Sequence, residues 1–167
     1  AGAAQALHEA GAGDAVEASR EASQRAPGHD RHRCLYNLGW ALHRAGRADE
    51  AAKAYAEALA LPGCPRRVRA RCLANLGAAD LARASAVADQ APADALAALA
   101  QAEASLREAA RLEPTLAVAA ANLRAALALA EDVRLRDEVA AGTGPWRSGR
   151  ERRPSSPAEV ARERPAE

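Results

Sequence analysis

Apolar residues recur along this chain at helical spacing, most clearly between Leu35 and Leu59. Leu35, Leu38 and Leu42 fall at i, i+3 and i+7, the pattern that lines one face of an α-helix. Arg33, Tyr36, Trp40, His43 and Arg44 project from a different face, where Tyr36 and Trp40, four residues apart, are neighbours. Gly46 predicts the end of that helix, because a left-handed residue is needed there. A second helix is predicted through Ala51, Tyr55 and Ala58. Small residues at Gly39, Ala51 and Ala58 allow two antiparallel helices to approach closely, and Leu35, Leu38, Leu42 and Tyr55 fill the seam. The stretch therefore predicts a helical hairpin.

The pattern returns. "CLANLG" (Cys72–Gly77) repeats "CLYNLG" (Cys34–Gly39) 38 residues later. Its second helix is delayed to Ala102, Leu106 and Ala109, so the intervening "ASAVADQAPADALAAL" is an insertion. Pro92 within it should break or restart a helix, giving one from about Ala93 to Leu112. A third copy follows Pro114, with Asn122-Leu123 matching Asn37-Leu38 and Asn75-Leu76. There Arg124 takes the glycine slot, which suggests a final helix without a close-packed successor and leaves Leu123, Leu127 and Leu129 for a neighbour or for self-association. Upstream, Asp14–Pro27 reads as the second helix of a degraded repeat, set apart by Gly11 and Gly13 from a short helix around Ala3–Ala10.

The spacing Leu35-x2-Leu38-Gly39-x2-Leu42, then Ala51-x3-Tyr55 and Ala58, resembles the tetratricopeptide repeat, a helix–turn–helix unit of about 34 residues. The resemblance covers about residues 1–140, with one well-formed repeat at about 32–63 and degenerate repeats on either side. It implies an all-α solenoid of helical hairpins, a right-handed superhelix whose concave face is lined mainly by first helices. It also implies that the face binds a peptide or helical segment of another protein. Carried onto this sequence, the groove positions are Arg33, Tyr36, Asn37, Trp40, His43 and Arg44 in the best repeat. The next repeat supplies Arg71, Ala74, Asn75 and Ala78, and the last Val118, Ala121, Asn122 and Ala125.

These residue types suit peptide docking. Aromatic and arginine side chains are enriched at interface hot spots; the alternative for Trp40 is packing against the neighbouring repeat or the first helix. Arg33 and Arg71 are repeat-equivalent and could bracket a carboxylate, since a guanidinium binds one bidentately. Some tetratricopeptide domains clamp the C-terminal carboxylate of a chaperone tail, but Tyr36 and Trp40 occupy the positions of the first Lys and Asn in that clamp. The recurring Asn37, Asn75 and Asn122 allow two readings: recognition of a peptide backbone, or a hydrogen bond to an adjacent repeat. The run Arg66, Arg67, Arg69 and Arg71 reads as a solvated face.

Composition narrows the remaining classes. The only aromatics are Tyr36, Trp40, Tyr55 and Trp146, with no Phe or Met, and alanine dominates the apolar residues. Alanine favours helix, and the β-branched and aromatic residues that strands prefer are scarce. A net charge of +1 gives no strong pull toward nucleic acid. No apolar run approaches the ~18 residues of a membrane span. No nucleophile elbow, phosphate loop or paired-carboxylate motif is present, so no catalytic residue and no cofactor is expected. No carboxylate or cysteine completes a ligand set with His29 and His32 at helical spacing, and they read as polar residues in a linker and at a helix start, so no metal is expected. Cys34, Cys64 and Cys72 form no CxxC pair; Cys34 and Cys72 read as small buried residues, with a Cys64–Cys72 bridge the alternative.

Residues 141–167 are rich in Pro, Arg, Glu and Ser and are predicted to be a disordered tail, with Ser155-Ser156-Pro157 a candidate phosphorylation site. The expected function is a non-catalytic scaffold or adaptor, cytoplasmic unless an export signal has been removed. Two alternatives are a regulatory segment of a larger enzyme or sensor, and a structural component of a bacterial envelope assembly. The last rests on a loose similarity, through "YNLGWAL" and the later "NL" pairs, to small tetratricopeptide proteins that accompany von Willebrand factor A-domain membrane proteins.

Overall fold

The computed structural model describes residues 2–143, with side chains from residue 11 onward except at residue 29. The predicted tail from residue 144 on, with Trp146, and the side chains of His8 and His29 lie outside the described residues. Those residues form six helices and no strand: α1 (Gly2–Arg25), α2 (Gly28–Arg44), α3 (Ala48–Ala60), α4 (Arg66–Val87), α5 (Pro92–Leu112) and α6 (Ala117–Ala140). The all-α expectation is met. The chain divides into two units, Ala1–Val133 and Arg134–Glu167, and the core and candidate site belong to the first.

The turns sit where the sequence puts them. Gly46 has φ +74°, its N–H donates to His43 O at 3.0 Å, and the Arg47 N–H donates to Leu42 O at 2.9 Å. Those two bonds satisfy the carbonyls left open at the end of α2. Pro92 starts α5, where the missing N–H costs nothing.

Two antiparallel hairpins result. In α2–α3, Gly39 faces Tyr55, and Arg31 pairs with Glu57 at 3.0 Å. In α4–α5, Gly77 faces Leu106, Arg83 bonds Gln101 at 3.0 Å, and Arg66 Nε donates to the terminal carbonyl of Leu112 at 2.6 Å. The repeat-equivalent glycines do the same work. A Cβ on Gly39 would lie 2.5 Å from Tyr55 Cε1, and one on Gly77 would lie 2.5 Å from Leu106 Cγ and 3.1 Å from the Ala102 carbonyl oxygen. The matched alanines Ala51 and Ala102, and Ala58 and Ala109, are all buried.

Two apolar clusters form the core. One joins Val16 of α1 with Leu35, Leu38 and Leu42 of α2, Ala54 and Tyr55 of α3, and Cys72 of α4. The other joins Ala74 and Ala84 of α4 with Leu99 and Leu106 of α5 and Ala119, Ala126 and Ala130 of α6. Helix α4 thus contributes to both.

Several expectations are corrected. Helix α1 continues through Gly11 and Gly13: neither has positive φ, and a Cβ at either would meet nothing within 4 Å. A helical glycine lowers stability without ending the helix. His32 is not a linker residue but is buried, with Nδ1 3.1 Å from Ala58 O and Nε2 3.1 Å from Pro62 O, so it ties the start of α2 to the end of α3. Of the three leucines expected to be available on α6, Leu123 and Leu129 pack on the second cluster, and only Leu127 is exposed.

Tyr55 is buried, and its hydroxyl has no partner in hydrogen-bond geometry. Burial raises its pKa, while the nearby Asn75 amide opposes that shift weakly. Asn75 lies near this hydroxyl of the preceding hairpin without a hydrogen bond to it.

Two stability predictions follow from the packing, each measured by urea unfolding. Gly77→Ala should destabilise by about 1–3 kcal/mol through overpacking, whereas Gly11→Ala and Gly13→Ala should each stabilise by about 0.4–1 kcal/mol. Tyr55→Phe should stay within about 0.5 kcal/mol of the parent or gain stability, since it removes an unpaired buried hydroxyl, while Tyr55→Ala should lose about 3–5 kcal/mol.

Candidate functional site

Helix α2 presents Arg33, Tyr36 and Asn37 on one face, at i, i+3 and i+4. The opening of α4, preceded by Pro65, brings Arg67, Val68 and Arg71 opposite them. Together they line a cavity of about 480 Å³. A second cavity of about 430 Å³ shares Arg33 and Asn37 and continues past Cys34 and Asp30 to Pro27 and the end of α1 at Arg25. The two adjoin at Arg33 and Asn37 on α2. Pro65 gives the first turn of α4 no side-chain cap, so the helix opens without a side-chain acceptor for its free N–H groups.

Positive charge dominates the first cavity. Among the described residues no carboxylate pairs with Arg33. Arg67 Nε lies 3.4 Å from Glu113 Oε1, and Arg71 Nε 4.0 Å from Glu113 Oε2. The Glu113 side chain is only 13% exposed, and its Oε2 has no hydrogen-bond partner. The arginines of the Arg66–Arg71 run are exposed, as expected of a solvated face, and they also make contacts: Arg66 caps α5, and Arg67 and Arg71 approach Glu113.

The predicted groove residues separate into groups. Arg33, Tyr36, Asn37 and Arg71 come together in the first cavity. Trp40 lies beyond it, 48% exposed, with the Arg44 guanidinium 5.0 Å from its ring centroid. At that exposure Trp40 is not buried against a neighbouring helix. His43 is exposed farther along α2, and Asn75 and Asn122 are half-buried outside both cavities. Ala74 is buried in the second cluster and cannot line a groove. Tyr36 is anchored by the Tyr55 ring, centroid to centroid 5.9 Å at 42°. Sequence reasoning missed Pro65, Val68 and Glu113. Glu113 follows the last residue of α5 and meets Arg67 across 46 positions, a pairing no local pattern encodes.

Cys34, Cys64 and Cys72 are free thiols. Cys72 is buried as expected, whereas Cys34 is half-buried and lines the second cavity. Among the described residues no group of three His, Cys, Asp or Glu is placed to hold a metal ion, and no helix is long and apolar enough to cross a membrane. No family model matches the chain, and comparisons with curated proteins and with solved structures gave no match.

Burial raises the Cys72 thiol from near 9 to about 12. The unfolded chain then loses this proton before the folded one, so the Cys72 contribution is intact below pH 9 and is lost as pH rises toward 12. In Cys72→Ala the drop in urea midpoint between neutral and alkaline pH should be smaller than in the parent. A thiol-specific disulfide reagent at neutral pH should modify Cys34 well before Cys72, which mass mapping of the labelled peptides would check.

Proposed function

We propose that this chain is a non-catalytic binding module of the tetratricopeptide type, a solenoid of hairpins that holds an extended segment of another protein in the groove along α1, α2 and α4. The observation that carries the reading is the convergence of Arg33, Tyr36, Asn37 and Arg71 in one cavity that a second cavity extends. An open trough of this kind suits a chain better than a compact small molecule, since the tightest small-molecule pockets enclose most of the ligand surface. Asn37 sits where the two cavities meet and can donate to and accept from a peptide backbone. Trp40, with the Arg44 guanidinium over its ring, offers a large apolar contact beyond the cavity on the same helix.

Two features support the tetratricopeptide assignment: the 38-residue return of the glycine that packs against a large residue of the following helix, and the paired small residues at Ala51/Ala102 and Ala58/Ala109. A photo-crosslinking side chain at Asn37 should capture a protein from lysate of the source cells, and the same group at Lys53, exposed on α3, should not. Equal capture at both positions, capture only at position 53, or none at either would overturn the proposal.

A further inference from the structure

We infer that the groove selects an acidic extended peptide, that a side-chain carboxylate of the peptide seats among Arg33, Arg67 and Arg71, and that Glu113 is a built-in competitor for that seat. This rests on the peptide-binding reading above and adds the chemistry of the partner. Three guanidinium groups, those of Arg33, Arg67 and Arg71, line this cavity with no carboxylate among its lining residues, and only Arg67 and Arg71 approach Glu113. Arg33 makes no ion pair with a carboxylate among the described residues, whereas Arg25, in the second cavity, pairs with Glu21 at 3.3 Å. Charge complementarity of this kind selects the partner and speeds its encounter more than it adds raw affinity.

The molecule itself shows which anion fits. Glu113 already places a carboxylate against Arg67 and Arg71, at 3.4 and 4.0 Å, but the contact is incomplete: one oxygen is buried without a hydrogen bond. A carboxylate half-engaged by two guanidinium groups leaves donors available, since each guanidinium carries five N–H groups in a fixed fork. An incoming Asp or Glu side chain can take those donors together with Arg33, and must do so beside the negative charge of Glu113. Glu113 thereby weakens acidic ligands and sets the threshold for binding.

The test uses fluorescence anisotropy with the full chain and three labelled peptides of equal length: one rich in Asp and Glu, its Asn and Gln isostere, and a Lys-rich one. The acidic peptide should bind at least roughly ten-fold more tightly than the isostere and should weaken with added salt. Arg33→Gln and Arg71→Gln should each lose roughly ten-fold, and Arg124→Gln on exposed α6 should lose nothing. Glu113→Gln should tighten binding several-fold, with an unchanged circular dichroism spectrum. Equal binding of acidic and neutral peptides, equal losses in Arg33→Gln and Arg124→Gln, or no gain in Glu113→Gln would overturn the inference. A neutral or basic peptide that binds best and is lost on Asn37→Ala would keep the groove and refute its acidic preference. Failure of all three peptides to bind would refute both.

Discussion

Everything in this molecule rests on how closely helix backbones can approach a bulky side chain. Tyr55 lies over Gly39 and Leu106 over Gly77, at distances where even a methyl group would collide. That contact fixes the register of each hairpin, and the register decides which side chains reach the opposite helix face. Arg33, Tyr36 and Asn37 line a groove because Leu35, Leu38 and Leu42 on the other face are held in the seam. The alanine-rich composition belongs to the same logic. Small residues at Ala51, Ala58, Ala102 and Ala109 keep the helices close, and the few large residues fill the seams between them.

Helix α4 is the member on which the two core clusters depend together. Cys72 belongs to one cluster, while Ala74 and Ala84 belong to the other. Its N-terminal turns meanwhile carry Arg67, Val68 and Arg71 into the groove and send Arg66 to the end of α5. A helix occupied on so many sides has no single apolar stripe, and a search for one amphipathic face underrates it.

Much of this was legible in the sequence, for physical reasons. Gly46 and Pro92 announce a helix end and a helix start because their backbones admit little else there. Recurrence of "NLG" announces a shared contact because only glycine fits beneath a large residue of the next helix. The grouping of Arg33, Tyr36, Asn37 and Arg71 was legible as well, because repeats place equivalent residues on one side. What escaped is non-local. Glu113 meets Arg67 and Arg71 only once α5 has folded back along α4. His32 looked like a polar residue in a linker because the two carbonyl oxygens its ring nitrogens approach, Ala58 O and Pro62 O, belong to α3 and to the turn after it. Gly11 and Gly13 misled in the other direction: glycine ends a helix when its conformation is used, and here it is not.

The insertion in the α4–α5 hairpin has a consequence of its own. Helices α4 and α5 span 22 and 21 residues, against 17 and 13 for α2 and α3. The bond from Arg66 to the Leu112 carbonyl pins the two longer helices together at the end nearest the groove, so the extra length lies at the opposite tip, around residues 88–91. Hairpin length is therefore uncoupled from ligand chemistry. Turns can be gained or trimmed at that tip, in matched pairs, over evolutionary time or by design, and the arginines that face the groove keep their places.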